Sequence, residues 1–380
     1  MQITESLGIF GRLGRSLKGI FAGLILSVVA VGVLVFNERN AVQDIRANKE
    51  IDKEVSSVDA GTVDASMEGK LIHLNGFADT EDLVANEQFG ISQEAIRLSW
   101  KAEAYQWKER KETKTEKKVG GSEERVTTYS YEKVWSEDSI DSSGFREQAG
   151  HKNPGNRQFS SGQSQAETVT LGAFRLPKAL IDKITSSEPY PLESIPAPLQ
   201  SDRAEIVSGV FYSGDADAPQ VGDERVSFTL TEPGDVSVMA VQTGDTFSPY
   251  KTKSGKTRFL LYEGLLSADE IVQREEQKAA MLRWALRVIG FILMATGFGL
   301  VLKPLSVLAD VIPFFGNLVG MVTGFVAAMF AAGISLVIIA ISWVAFRPLI
   351  GIPLLVVALA ALFLGVKALM GRKNQVPAAA

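Results

Sequence analysis

Few residues of this chain could carry out chemistry. It contains two histidines, His73 and His151, and no cysteine, which excludes disulfides, thiol catalysis and cysteine-based metal sites. Residues 254–257, Ser-Gly-Lys-Thr, resemble the end of a phosphate-binding loop, but the first glycine of such a loop would stand where the chain has Tyr250. Neither a G-x-S-x-G elbow nor an H-E-x-x-H motif occurs. The sequence therefore predicts no catalytic residue, no cofactor and no metal site.

An enzyme built on this chain would need a cleft that combines residues such as His151, Glu103 and Asp223. Residues 151–154, His-Lys-Asn-Pro, favour a hydrogen-bonded turn over a general base. His73 lies in an apolar, strand-like stretch, which favours a buried histidine with satisfied hydrogen bonds. We therefore expect that the protein is not an enzyme.

Charge is strongly segregated along the chain, although its overall hydrophobic content of 46% is ordinary. Residues 288–366 contain only three charged residues, Lys303, Asp310 and Arg347, whereas residues 108–125 contain twelve. A single soluble domain does not sort its charges in this way, so the sequence predicts a membrane protein. The net charge of −5 argues against nucleic acid as a partner.

Four apolar stretches could cross a bilayer, because each approaches the roughly 20 residues that a spanning helix needs. The predicted fold is a membrane protein of the α+β class, with one N-terminal and three C-terminal transmembrane helices and a large β-rich extramembrane domain between the first and second. The predicted segments are a cytoplasmic N-terminus (1–18), transmembrane helix 1 (19–37), the β-rich domain (38–266), a helix that continues into transmembrane helix 2 (267–302), a loop with an interfacial or re-entrant piece (303–319), transmembrane helices 3 (320–346) and 4 (348–366), and a cytoplasmic tail (367–380).

The basic residues at the ends of the spans predict the orientation, because basic loops stay in the cytoplasm. Three of them, Arg12, Arg15 and Lys18, precede the first span, and Lys367, Arg372 and Lys373 follow the last one. Both termini are thus expected in the cytoplasm and the β-rich domain in the periplasm or lumen. Arg283, Arg287 and Arg347 would fall outside, which partly violates the rule.

The extramembrane domain shows alternating patterns that are typical of strands. The charged run with Gly120 and Gly121 at its centre separates two such patterns and predicts a long hairpin arm near 100–135. A faint similarity between the stretches that begin at Leu71 and Glu205 suggests two related β units. Ser267 and Glu270 have the spacing of a capping box and predict a helix start.

Pairs of small residues at i and i+4 allow helices to approach closely in a membrane. Two such pairs are Gly19 with Gly23 and Gly320 with Gly324. They favour either packing within one chain or the formation of homo-oligomers, and the sequence leaves both readings open.

Short motifs in order along the chain resemble the transmembrane protein 43 (LUMA) family. They are Asn-Glu at 37–38, Gly-Lys-Leu-Ile-His at 69–73, Phe-Gly-Ile at 89–91, Tyr-Gln-Trp at 105–107, Tyr-Ser-Tyr at 129–131, His-Lys-Asn-Pro at 151–154, Val-Gly-Asp at 221–223, Arg-Val-Ser-Phe at 225–228, Thr-Lys-Ser-Gly at 252–255 and Arg-Pro-Leu at 347–349. The residues within them that we expect to have structural roles are Asn37, Glu38, His73, Gly90, Trp107, His151, Asn153, Pro154, Gly222, Arg225, Arg347 and Pro348.

The resemblance implies a protein of membrane organisation. Eukaryotic members lie in the endoplasmic reticulum and inner nuclear membrane, self-associate and bind nuclear-envelope partners such as emerin and lamins. The absence of cysteine and the basic start suggest a bacterial member in the inner membrane, which would lack the nuclear partners. No catalytic residue of the family can be carried over.

The expected function is a membrane scaffold that self-associates and organises membrane or membrane-protein assemblies. Its expected partners are the lipid bilayer, further copies of the chain and other membrane proteins. The alternative is a lipid or small-solute transport or channel component, because residues 311–319 interrupt the third apolar run with Pro313, Gly316 and Asn317.

Overall fold

A computed structural model describes residues 1–118, 122–310 and 313–346, together with isolated positions between 352 and 363. The chain divides into two compact units. Unit 1 contains Met1–Gln2, Lys49–Glu112 and Thr127–Gln273, and unit 2 contains Ile3–Asn48, Thr113–Val126 and Arg274–Ala380.

The described residues form four α-helices and nineteen strands. The helices are α1 (Ile9–Glu54), α2 (Lys178–Ile181), α3 (Ala268–Ala309) and α4 (Pro313–Phe346). The strands are β1 (Gln2–Leu7), β2 (Ser56–Ser57), β3 (Leu71–Asp79), β4 (Leu83–Asn86), β5 (Ile91–Glu94), β6 (Arg97–Lys117), β7 (Glu123–Ser136), β8 (Gly162–Gln165), β9 (Thr170–Leu171), β10 (Phe174–Arg175), β11 (Glu188–Tyr190), β12 (Glu205–Val207), β13 (Val210–Tyr212), β14 (Glu224–Thr231), β15 (Gly234–Thr243), β16 (Thr246–Ser248), β17 (Tyr250–Lys251), β18 (Thr257–Arg258) and β19 (Leu260–Glu263).

Two larger sheets and two small hairpins contain these strands. The first sheet has the order β1-β7-β6-β14-β13-β12, with β8 paired to β6 and β11 to β14. The second has the order β10-β9-β3-β15-β16, with β19 paired to β15 and β2 parallel to β3. Strands β6 and β7 form the long arm that the alternating pattern indicated.

Each sheet has its own hydrophobic core, because alternate residues of its central strands are apolar. Ile72 and Leu74 of β3 belong to the core of the second sheet, whereas Leu98 of β6 and Val226 of β14 belong to that of the first. The two stretches of the suggested repeat therefore do not occupy equivalent positions: β3 lies inside the second sheet, and β12 lies at the edge of the first. The structure contradicts the hypothesis of two related β units, because a shared alternation reflects burial rather than a common unit.

Among the described residues, three helices are long and apolar enough to cross a membrane, namely Ile9–Glu54, Ala268–Ala309 and the 28-residue part of α4 at Leu318–Ala345. They and the β-rich domain between the first two confirm the expected class in outline. The expected fourth span at 348–366 lies largely outside the described residues, as do Arg347 and Pro348.

The three long helices extend beyond the bounds expected for the spans: α1 continues past Asn37 to Glu54, and α4 begins at Pro313 rather than at residue 320. Helix α1 begins at Ile9 rather than at Gly19, and α3 continues through Pro304 to Ala309, where the sequence suggested a loop. Proline is tolerated in membrane helices because an irregular backbone in lipid would leave more hydrogen bonds unmade than the one that proline removes. The following helix then starts with Pro313 at a favourable first position.

Helices α1 and α3 pack closely through glycine in unit 2. A methyl group on Gly23 would lie 2.5 Å from the carbonyl oxygen of Gly297, and one on Gly297 would lie 2.5 Å from Ser27 Oγ. No atom lies within 4 Å of the corresponding position at Gly32. Gly23 therefore serves packing inside the chain.

Replacing Gly23 tests this contact. Gly23→Leu should lower the free energy of unfolding by about 1–3 kcal/mol, because a larger side chain cannot enter this contact without moving the helices. Gly32→Leu, on the same helix, should leave stability unchanged or raise it slightly. Thermal unfolding of both variants in detergent micelles measures the difference, and equal melting temperatures would rule out the close contact.

Candidate functional site: ion pairs between the membrane helices

A buried carboxylate joins all three membrane helices of unit 2. Glu38 of α1 is fully buried, and Arg287 of α3 binds it through two bonds, from Nε at 2.7 Å and Nη2 at 3.0 Å. The indole N–H of Trp343 on α4 donates to the same carboxylate. The Asn37 amide donates to the carbonyl oxygen of Arg283 at 3.1 Å. We call Glu38 and Arg287 the Glu38 pair.

Two tryptophans complete the surroundings of the Arg287 guanidinium. Its central carbon lies 5.0 Å from the ring centre of Trp284 and 5.8 Å from that of Trp343. Arginine stacks well on aromatic faces while its edge binds a carboxylate. The charges of the Glu38 pair are thus neutralised and shielded at one end of the apolar stretch.

A second buried ion pair, the Arg12 pair, joins Arg12 of α1 to Asp310, immediately after α3. Asp310 is fully buried and Arg12 is 6% exposed. Lys117, near the tip of the arm, also contacts Asp310 at 2.9 Å, and Glu123 lies 3.3 Å from Arg12 Nε. This cluster was not expected from the sequence.

The two pairs have opposite polarity and bracket the apolar part of the helices. At one end, basic Arg12 of α1 faces acidic Asp310. At the other end, acidic Glu38 of α1 faces basic Arg287 of α3. The 26 residues from position 12 to 38 rise about 39 Å, and the 23 from 287 to 310 about 35 Å, at ~1.5 Å per residue. A hydrocarbon core of about 30 Å fits between the pairs, which would then lie at the two membrane surfaces.

Contacts of the chain start and the arm tip are incompatible with the expected orientation. The Met1 ammonium donates to the Tyr129 carbonyl oxygen at 2.9 Å, and β1 pairs with β7 of the arm. A bilayer crossed by α1 would separate these partners, because the charged arm cannot lie in hydrocarbon.

Magnitudes favour the crossing over these contacts. Eight large apolar side chains of α1 between Phe21 and Phe36 are exposed, and lipid would stabilise each by ~1.5–3 kcal/mol. The six-residue strand contributes about 1 kcal/mol per hydrogen bond, and the two ion pairs of the arm with buried Arg12 and Asp310 contribute at most ~5 kcal/mol each. In a bilayer we therefore expect the Arg12 pair to keep its helix partners and lose the arm. The orientation of the termini stays a prediction.

Several motif residues meet at the root of the arm in unit 1. The His151 ring stacks on Tyr131, with 3.9 Å between ring centres, and contacts Trp107 edge-on at 4.7 Å. Asn153 bonds both backbone groups of Trp107, accepting from its N–H at 2.7 Å and donating to its carbonyl oxygen at 2.9 Å. Pro154 lies near Gly222, which has a positive φ of 104° and donates from its N–H to the Tyr105 carbonyl oxygen. The arrangement fixes the arm to the domain.

The residues considered for catalysis are engaged separately. Glu103 accepts from Lys101 and Arg225; burial opposes its ionisation, but these bonds outweigh burial and lower its pKa. Asp223 binds Arg203 at 2.9 Å. Arg225 also lies over the ring of Trp135 at 4.7 Å. Within the described residues, no three histidine or acidic side chains are grouped to hold a metal ion.

His73 lies where both membrane helices join the second sheet of unit 1. Its Nε2 lies 2.9 Å from the carbonyl oxygen of Leu266, just before α3, and its Nδ1 lies 3.1 Å from the hydroxyl of Ser57, just after α1. Burial lowers the pKa of His73, and the bond to Leu266 opposes this only partly.

The capping box forms as expected, with both the Ser267 N–H and hydroxyl bonded to Glu270.

The end of α1 is fixed to the β17–β18 turn. The Glu50 carboxylate accepts the Tyr250 hydroxyl at 2.9 Å and the Lys253 N–H at 3.0 and 3.1 Å. Burial and the Glu50 charge raise the pKa of Tyr250 to about 12. The Ser-Gly-Lys-Thr stretch that follows thus belongs to a turn that binds a carboxylate of the chain itself.

The remaining expected residues lie apart from the ion pairs. Gly90 ends a 3₁₀ turn with a positive φ of 64°. A methyl group on Gly19 would lie 3.9 Å from Leu300, and one on Gly320 would lie 3.8 Å from Ser306. Around Gly324 no atom of the described residues lies within 4 Å of that position.

A β-rich domain inserted between apolar helices, with paired charges at the helix ends, defines an integral membrane protein. A family model described as Transmembrane protein 43 matches residues 104–348. The chain is 32% identical to Transmembrane protein 43 of Rattus norvegicus over 356 residues, which cover 90% of this chain and 88% of the rat protein. It is 31% identical to the Homo sapiens protein over 360 residues (92% and 90%) and 28% identical to the Drosophila melanogaster homolog over 343 (88% and 90%).

The chain therefore belongs to the transmembrane protein 43 family, as its motifs indicated. No solved structure matches it. The bacterial origin stays a prediction.

A double-mutant cycle tests the Glu38 pair. Glu38→Gln and Arg287→Gln should each lower the free energy of unfolding by about 3 kcal/mol, because each leaves a buried charge unpaired. The double variant should lower the free energy of unfolding by at least 1 kcal/mol less than the sum of the two single variants. The exposed pair Lys178–Asp182 provides the control cycle, with a coupling of ~0.5 kcal/mol or less. Thermal unfolding in lipid nanodiscs measures both cycles, and additive effects at Glu38 and Arg287 would refute the pair.

Acid should weaken unit 1 through His73. The unfolded chain protonates His73 near pH 6.5, whereas the lowered pKa keeps the folded residue neutral. Its contribution is therefore present above pH ~6.5 and is lost as the pH falls through the lower, folded pKa. His73→Gln should show a smaller drop in melting temperature between pH 7.5 and 5.5 than the parent. A parental drop in His73→Gln would contradict this role.

Proposed function

We propose that the protein is a membrane scaffold: its helices form a tightly joined anchor that holds the β-rich domain, and copies of the chain associate within the bilayer. The observation that supports the proposal is that the charged residues at the helix ends form ion pairs with one another. Glu38, Arg287, Arg12 and Asp310 bind one another rather than standing free. A fixed joint between helices suits mechanical support.

Both ends of the domain support this reading. Ile51 near the end of α1 and Ile271 near the start of α3 belong to one buried cluster with Leu71 and Met239 of the second sheet. The domain is therefore fastened to both helices by apolar packing, as well as by His73 and Glu50.

The transport alternative stays a prediction, and residues 313–319 support it less than the sequence suggested. It rested on an irregular segment at 311–319, but α4 is helical from Pro313 onward. Helical backbone satisfies its own hydrogen bonds and needs no water-filled cavity.

Self-association is supported by a face of α4 that no other described residue covers. Gly324 has open space beside it, and Met321 and Phe325 near it are exposed. A second helix could approach closely there. Partner membrane proteins would use surfaces of the β-rich domain.

Oligomer formation in lipid tests the proposal. Labelled chains reconstituted at a series of protein-to-lipid ratios should show energy transfer that rises with the ratio, and Gly324→Leu should shift this curve to higher ratios. Gly299→Leu provides the control, because Gly299 on α3 also has no atom within 4 Å. A parent protein that stays monomeric at every ratio would refute self-association, and equal shifts in both variants would exclude α4 as its site.

A further inference from the structure

The side chain of Arg283 on α3 has no acidic partner among the residues that the structure describes. Its Nε is buried and lacks a hydrogen-bond partner among the described residues. Arg287, one turn further along, by contrast donates two hydrogen bonds to Glu38. The residues that the structure does not describe contain no aspartate or glutamate, so none of their side chains could neutralise Arg283.

The height of Arg283 along the helix coincides with the lipid headgroups. It precedes Val288, where the uncharged stretch begins, by five residues, or about 7.5 Å at ~1.5 Å per residue. The headgroup region extends roughly 5–8 Å beyond the hydrocarbon. The neighbouring Trp284 is 64% exposed, as is typical of side chains at this depth.

A second basic residue lies at the same height on α1. The Asn37 amide binds the Arg283 carbonyl oxygen, and Arg39 follows Asn37 by two residues on the exposed side of the helix. Since Glu38 and Arg287 neutralise each other, Arg39 and Arg283 leave an uncompensated positive charge here.

We propose that Arg283 binds the phosphate group of an anionic phospholipid in the leaflet next to the Glu38 pair, and that Arg39 adds positive charge at the same height. A partly buried guanidinium is costly without an anion, and phosphate matches its forked donors. The positive charge of the site would repel the ammonium of a zwitterionic headgroup and favour an anionic one. The proposal does not depend on self-association.

Lipid retention tests the site. The full chain is reconstituted in phosphatidylcholine nanodiscs with a minority of phosphatidylglycerol, extracted gently and analysed by native mass spectrometry. The parent should retain phosphatidylglycerol in preference to phosphatidylcholine. Arg283→Gln should weaken this retention about tenfold, and Arg39→Gln should weaken it less. Arg283→Lys should be intermediate, because an ammonium keeps the charge but not the forked geometry.

Arg46→Gln is the matched control, since Arg46 is exposed on α1 about 10 Å further from the apolar stretch at ~1.5 Å per residue. It should retain lipid like the parent. Unchanged retention in Arg283→Gln, an equal loss in Arg46→Gln, or equal retention of the two lipids would overturn the proposal.

Inorganic phosphate separates a lipid site from a site for a free anion. Added in excess to the extracted parent, it should leave the phosphatidylglycerol in place, and a complete displacement would overturn the assignment to lipid. Should Arg283→Gln fail to fold, as judged by its melting temperature, Arg283→Lys and Arg39→Gln decide the outcome.

Discussion

The antiparallel contact of α1 and α3 is the constraint on which the rest of the structure depends. The two helices approach through Gly23 and Gly297, and an ion pair fixes each end. The opposite polarity of the two pairs allows α1 and α3 to pack only antiparallel and in one register. Any other arrangement would place like charges together or bury a charge without a partner. The β-rich domain is inserted in the chain between these helices, so their pairing fixes both of its connections.

In this arrangement most polar residues near the membrane helices bind one another or the backbone. The acids and bases at the helix ends neutralise one another, and His73 and Glu50 bind backbone groups at the connections to the domain. Arg283 departs from this pattern, and an unneutralised base at headgroup height is suited to lipid rather than to a substrate. Joined helices, together with the proposed lipid site, are consistent with the proposed role in membrane organisation.

The sequence predicted features that depend on neighbours along the chain. Apolar length indicated the first three spans, alternation indicated the arm, and the spacing of Ser267 and Glu270 indicated the start of α3. Contacts between distant segments were not predictable in the same way: nothing in the sequence brings His151 onto Tyr131, and the apparent repeat was only shared alternation. The Glu38 pair carried a usable signal that was missed. An acid just after one span and a base just before the next are neighbours whenever two consecutive helices pack antiparallel.

The most direct test is to measure whether the two ends of α1 lie on opposite sides of the membrane. The chain has no native cysteine, so Gly8→Cys and Asp52→Cys each introduce a single reactive thiol. In sealed vesicles of uniform orientation, a membrane-impermeant maleimide should label one of them from outside and the other only after the vesicles are opened. Labelling of both from the same side would mean that α1 does not cross, and the two ion pairs could not lie at opposite membrane surfaces.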